Sequence, residues 1–99
     1  MEINEQRTEE KIILRTAGRI DTNTSVIFQQ RVLTAFQKSS FIEIDLEEVD
    51  YISSAGLRAL LVGAKTAQAC GSRMVLTKVQ PQVMEVFSMT GFGKVLTFA

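Results

Sequence analysis

The chain contains no histidine. That removes the Ser-His-Asp and Cys-His triads, most zinc sites and the commonest general base near neutral pH. A small domain without these tools is expected to bind rather than to catalyse. Cys70 is the only cysteine, so no internal disulfide can form and a reducing compartment is expected. Proline occurs once, at Pro81, tryptophan is absent, and no repeat or Gly/Ser/Pro-rich linker divides the sequence. Residues 1–99 therefore read as one domain. No apolar run reaches the length of a membrane span. The opening stretch MEINEQRTEEK is polar and acidic where a secretory signal is basic and then apolar, so a cytoplasmic location is expected. An excess of either charge is also missing: 11 basic residues balance 11 acidic ones. Neither nucleic-acid binding nor membrane binding has an electrostatic case.

The remaining pattern alternates between strand and helix. Ile3–Arg7 alternates weakly and Lys11–Ala17 is apolar; the polar turn at Glu9-Glu10 between them suggests a hairpin. Asp21-Thr22-Asn23-Thr24-Ser25 is a cluster of helix-starting residues, and a helix from about Thr24 to Lys38 follows, with Phe28, Val32, Ala35 and Phe36 on one face. Phe41–Leu46 alternates with period two, placing Ile42, Ile44 and Leu46 on one side. Ala55–Cys70 reads as a second helix with a stripe of Leu57, Leu60, Leu61 and Ala64, and Gly71 stands where a left-handed cap belongs. Arg73–Val79 is a strand. Pro81 suits the first turn of a third helix carrying Val83, Met84, Val86 and Phe87, which Gly91 ends. Lys94–Phe98 is a final short strand. The order β-β-α-β-α-β-α-β implies an α/β fold with a mostly parallel mixed sheet and one antiparallel edge strand. Binding surfaces in such sheets lie where strand ends feed helix starts.

The turn into the second helix, Val49-Asp50-Tyr51-Ile52-Ser53-Ser54-Ala55-Gly56-Leu57-Arg58, carries the most information. Apolar Ile52 is expected to anchor it to the core. Ser54 is the expected N-cap, its hydroxyl accepting from a first-turn amide. Gly56 costs helix stability but lets another backbone come close. A hydroxyl at this place has two compatible readings. One is a plain cap. The other is a phosphoacceptor, because a helix N-terminus stabilises an added anion without unfolding the domain.

Three runs together resemble the STAS domain: G-R-I-D at Gly18–Asp21, I-D-L…V-D-Y-I-S-S-A-G-L-R at Ile44–Arg58, and F-S-M-T-G-F at Phe87–Phe92. More narrowly, they resemble the bacterial anti-sigma factor antagonists, over nearly the whole chain. The resemblance implies a STAS-like single domain that is not an enzyme and acts by partner switching. In that scheme the unmodified protein binds an anti-sigma factor that is a serine kinase. Phosphorylation of the loop serine releases it, and a phosphatase resets it. Carried over, the acceptor is Ser54, with Ser53 as second choice. Asp21, Ser53, Ser54, Gly56, Leu57 and Arg58 are the implied partner contacts, with no catalytic, cofactor or metal residue in this chain. ATP and magnesium would come with the kinase. The sequence carries Ser53 where the family often has Asp, and Ala55 where it often has Ser or Thr. The first departure motivates an alternative: an unphosphorylated STAS scaffold or subunit of a transport or stress-signalling assembly.

Other signals carry less. A G-x-S-x-G elbow fails because Ile52 stands two before Ser54, and a hydrolase would lack its base. Gly93-Lys94 is no Walker loop, since Ser88 and Val95 occupy its Gly and Ser/Thr positions. Asp21 is at least as readily a cap for the first helix. Asp45, Glu47, Glu48 and Asp50 read as a solvated strand end, or as a negative rim to the loop. Cys70 and the methionines read as packing residues, and Arg58 and Lys65 as solvated charges on one stripe.

Overall fold

A computed structural model describes residues 1–99. Its elements in chain order are β1 (Glu2–Arg7), β2 (Ile12–Ile20), α1 (Thr24–Phe36), β3 (Phe41–Ile52), α2 (Ser54–Cys70), β4 (Arg73–Thr77), α3 (Pro81–Thr90) and a short 3-10 turn at Phe92–Lys94. The strands form one sheet in sequence order, with β1 antiparallel to β2 and the other pairs parallel. This is the mixed α/β sheet with an antiparallel edge that the pattern implied. The last expected strand, Lys94–Phe98, shrinks to a single parallel bridge between Phe98 and Leu76. Gly91 ends α3 in the left-handed region and the chain coils through the 3-10 turn, so too few residues remain to extend a strand.

Side-chain alternation sorts the sheet into two faces. Glu5, Leu14, Ile44 and Leu76 stand in one row across the register; Asn4, Arg15, Asp45 and Thr77 stand in the next, on the opposite face. The first face is the core. Ile12, Leu14, Ile42, Ile44, Leu46 and Leu76 pack with Phe28, Val32 and Ala35 of α1, Leu57 and Leu60 of α2, and Val83 and Phe87 of α3 in one cluster. Each such side chain, fully buried, stabilises the fold by about 1.5–3 kcal/mol. On α2 the buried residues are Gly56, Leu57, Ala59, Leu60, Gly63 and Ala67, while Leu61 and Ala64 are only half-buried. Two glycines widen the contact surface because α2 lies close to its neighbours there: a Cβ on Gly63 would stand 3.0 Å from Val32.

The opposite face is mixed: buried Ile13 and Val75 flank Glu43 in its row, and ions cross-link the strands around them. Lys11 bonds Glu43 at 2.7 Å, Thr77 donates to the same carboxylate at 3.0 Å, and Arg15 and Lys78 flank Asp45 at 3.8 and 3.7 Å. The Lys11 bond holds the Glu43 carboxyl below its ordinary value against a smaller burial effect, and the Thr77 hydroxyl adds to the lowering. Asp45 is therefore a buried member of this network, not part of a negative rim. Cys70 is exposed at the end of α2, so it is not a packing residue.

The largest departure is the length of β3. The alternation that ends at Leu46 suggests a six-residue strand, yet β3 continues to Ile52. Its pairing with β2 slips twice, between Arg15 and Ala17 and between Gly18 and Arg19, and each slip adds one residue to β3. The buried apolar positions run Ile42, Ile44, Leu46, Val49, Ile52: a two-residue step becomes three at each bulge. β4 pairs only with Phe41–Asp45, so the far halves of β2 and β3 run past it as a two-stranded ribbon.

Candidate functional site: the β3–α2 junction

The ribbon ends with Ile20 opposite Ile52, both buried. The next residues lead directly into helices, so the starts of α1 and α2 lie side by side. The Ser53 amide donates to the Ile20 carbonyl at 2.8 Å and ties the two strand ends together. What reads as a ten-residue turn is a strand end, one linking residue and a helix start.

Ser53, not Ser54, is the N-cap of α2. Its backbone is extended (φ −87°, ψ 172°), its carbonyl takes the Leu57 amide at 2.9 Å, and its Oγ accepts from the Gly56 amide at 3.2 Å. The expected cap was one residue late because β3 delivers extended backbone as far as Ser53, and a cap is the last non-helical residue. Ser54 is the first helical residue. It is exposed, and its hydroxyl has no partner within the chain. The amides of Ser54 and Ala55 also lack intrahelical acceptors, so the positive end of α2 is open beside that hydroxyl.

Gly56 is buried beneath the junction. A Cβ there would meet Ile52 Cγ1 at 2.7 Å, Ile20 Cγ2 at 2.8 Å and the Ile20 carbonyl oxygen at 3.1 Å. Only glycine lets the first turn of α2 rest on the strand ends. Leu57 is buried and serves the core, whereas Arg58 is exposed and has no ion partner.

Asp21 begins the neighbouring turn. Its Oδ1 accepts from the Asn23 and Thr24 amides at 3.0 and 2.9 Å and from the Thr24 hydroxyl at 3.1 Å. The Thr24 hydroxyl in turn accepts from the Asp21 amide at 2.9 Å. The Thr24 amide is the main influence that lowers the Asp21 carboxyl below its ordinary range, with burial opposing and the Thr24 hydroxyl, the Asn23 amide and the Arg19 charge assisting. Asp21 thus performs the capping task at the start of α1, and it stands next to Ser53 at the paired strand ends.

Three apolar residues that sequence reasoning passed over surround this end. Val26 and Ile27 in the first turns of α1 and Tyr51 at the end of β3 account for three of the six large exposed apolar side chains. Helical periodicity gives the signal for the first two: they fall off the Phe28–Val32–Ala35 stripe. Glu47, Glu48 and Asp50 are exposed along the same stretch of β3 and form no ion pairs. Neither surface cleft, of about 330 and 390 Å³, includes a residue of the junction. No group of three acidic or cysteine side chains is placed to hold a metal ion. Chemically, the junction offers an exposed hydroxyl that makes no hydrogen bond to any other group of the chain.

The family model for the STAS domain matches residues 2–99. The chain belongs to the STAS domain family. Its STAS domain is 41% identical over 58 residues to BtrV of Bordetella bronchiseptica, a candidate anti-sigma factor antagonist; that stretch spans 59% of this chain and half of BtrV. It is 20% identical over 94 residues to the anti-sigma-B factor antagonist of Bacillus subtilis, 95% of this chain and 86% of that one. Among solved structures, the unphosphorylated form of the anti-sigma factor antagonist SpoIIAA superposes with a TM-score of 0.82 at 22% identity, covering 99% of this chain and 88% of that one. The phosphorylated form of SpoIIAA, from Bacillus, superposes at 0.75 and 23% identity, over 99% and 91%. These likenesses share the fold and element order found here. No helix of the chain is long and apolar enough to cross a membrane.

Proposed function

We propose that this STAS domain is an anti-sigma factor antagonist, acting in the cytoplasm, that switches partners through phosphorylation of Ser54. The observation that carries the reading is the division of labour between two adjacent serines. Ser53 Oγ is committed to the Gly56 amide, whereas Ser54 Oγ is solvent-exposed and unbonded. A kinase can reach the second without disturbing the first. No side chain of the chain is hydrogen-bonded to this hydroxyl, and in this reading the partner supplies the catalytic groups, ATP and magnesium. The likeness to anti-sigma factor antagonists, one of which, SpoIIAA, is known in a phosphorylated form, supports this reading.

The switch follows from charge. Phosphorylation adds about −1.5 to −2 units at a helix start whose free amides tolerate an anion, so the fold persists. The same anion in a desolvated interface is costly, and about 3 kcal/mol suffices to weaken binding roughly a hundredfold. Exposed Glu47, Glu48 and Asp50 lie on the same stretch of β3, so the phosphate joins an existing group of unpaired negative charges. Asp21, Arg58 and the apolar Val26 and Ile27 complete the docking face, and a phosphatase resets it.

Incubation with its anti-sigma factor kinase and Mg-ATP, followed by mapping of the phosphate by mass spectrometry, tests the proposal. Modification is expected at Ser54, lost in Ser54→Ala and retained in Ser53→Ala. Phosphate on Ser53, or none anywhere, rejects it. A Ser54→Glu variant that binds the partner as tightly as wild type favours the unphosphorylated scaffold instead.

A further inference from the structure

We infer that Tyr51, held in place by Arg19, is the specificity anchor of the docking face, and that it engages an apolar socket edged by a carboxylate on the kinase. The inference rests on the partner-switching reading above, but on different atoms.

The second bulge of β3 is the first observation. Gly18 pairs with Val49 and Arg19 with Tyr51, so Asp50 is the inserted residue. In an unbroken register Tyr51 would stand opposite Ile20 and share the inward parity of Val49. The insertion turns Tyr51 outward and brings Ile52 into the core in its place. The sheet is thus locally distorted and leaves its one tyrosine 39% exposed.

Rigidity is the second. The Arg19 guanidinium lies 4.0 Å from the centroid of the Tyr51 ring. Arg19's own backbone is held at the start of α1, where its carbonyl, at 2.8 Å, shares the one Thr24 hydroxyl proton with the Asp21 carboxylate at 3.1 Å. An aromatic ring pinned in this way loses little freedom on binding. The Arg19 guanidinium makes no side-chain hydrogen bond and no ion pair within the chain, so its N–H groups are free to meet a partner. A ring and a free guanidinium edge, side by side, match an apolar pocket with an acidic rim. Tyr and Arg are the residue types that most often dominate interface energetics.

Position is the third. Only Ile52 and Ser53 separate Tyr51 from Ser54 along the chain. A partner seated on Tyr51 has the acceptor hydroxyl within its footprint. Tyr51 is a positioning residue in this scheme: it places the chain on the kinase and takes no part in phosphoryl transfer.

The test is steady-state phosphorylation by the anti-sigma factor kinase, with melting curves confirming that each variant is folded. Tyr51→Ala is expected to raise KM for this chain by about tenfold or more while kcat stays within about twofold. Tyr51→Phe, which keeps the ring, is expected to restore KM to within about threefold. Arg19→Ala raises KM and flattens its salt dependence, and Arg19→Lys does not restore it because a compact ammonium cannot stack as a plane. An unchanged KM in folded Tyr51→Ala overturns the inference, as does a loss confined to kcat. Because Tyr51 is the chain's only tyrosine, fluorotyrosine incorporated into this chain alone gives one fluorine NMR signal that reports on this position with the kinase present. Titration with the kinase without ATP should shift or broaden that signal; no change, with the complex shown to form, overturns the anchor. If the complex forms and the signal changes but Ser54 is never phosphorylated, the switch fails and the anchor stands.

Discussion

Replacing Gly56 with alanine adds one methyl group at the contact on which the junction is built. In a helix interior the change favours folding by about 1 kcal/mol, and in a first turn by less. Here the methyl carbon would lie 2.7 Å from Ile52 Cγ1, 2.8 Å from Ile20 Cγ2 and 3.1 Å from the Ile20 carbonyl oxygen. Both isoleucines are buried, and that carbonyl is fixed by the Ser53 amide, so no flexible chain end can yield. Overpacking of this kind costs about 1–3 kcal/mol. A net loss of about 1–2 kcal/mol is expected, which lowers the melting temperature by roughly 5–15 °C for a domain of this size. Gly63→Ala is the matched control. Its nearest neighbours are Met74 Sδ at 2.9 Å and Val32 Cγ1 at 3.0 Å, and the flexible methionine can move aside. Urea denaturation of the two variants beside wild type decides the matter. If Gly56→Ala is as stable as wild type, or more stable, the close approach of α2 to the strand ends does not constrain this residue and the reasoning fails.

Ser53→Ala removes the α2 cap and is expected to cost about 1 kcal/mol in urea while leaving Ser54 available; a loss of phosphorylation without loss of fold would contradict the division of roles. Asp21 and Glu43 are both more acidic in the folded chain, the first chiefly through the Thr24 amide and the second chiefly through Lys11. Their stabilising contribution is therefore complete above the ordinary carboxylate range and disappears as pH falls through the lowered folded values. The urea midpoint should decline below about pH 4.5. Carboxyl titration by NMR should show the Glu43 midpoint rising toward the ordinary range in Lys11→Met, and an unmoved midpoint refutes the assignment. Phe87→Ala should cost about 3–5 kcal/mol, a large part of the stability of a small domain, because Phe87 is fully buried where α3 meets the sheet; a loss under about 1 kcal/mol would show that α3 packs only loosely.

Local chemistry alone determined much of this protein. Alternation in Phe41–Leu46, the apolar stripe of α1, and Gly71 and Gly91 at the helix ends announce the elements, because each depends on residues only a few positions apart. The order of those elements, with one hairpin followed by strand–helix units, implies the mixed sheet. The motif around Ser54 was legible for the same reason: two serines before a glycine and a leucine mark a helix start wherever they occur. Tertiary structure decided what distant partners impose. The two bulges in β3 exist because β2 must be matched over its whole length. They carry the strand to Ile52, move the cap to Ser53 and leave Ser54 free. Asp45 became a buried ion-network member only when Arg15 and Lys78 converged on it from other strands and loops. Tyr51 faces solvent beside Arg19 because a single inserted residue reverses the side on which every later side chain falls, and that reversal depends on the neighbouring strand.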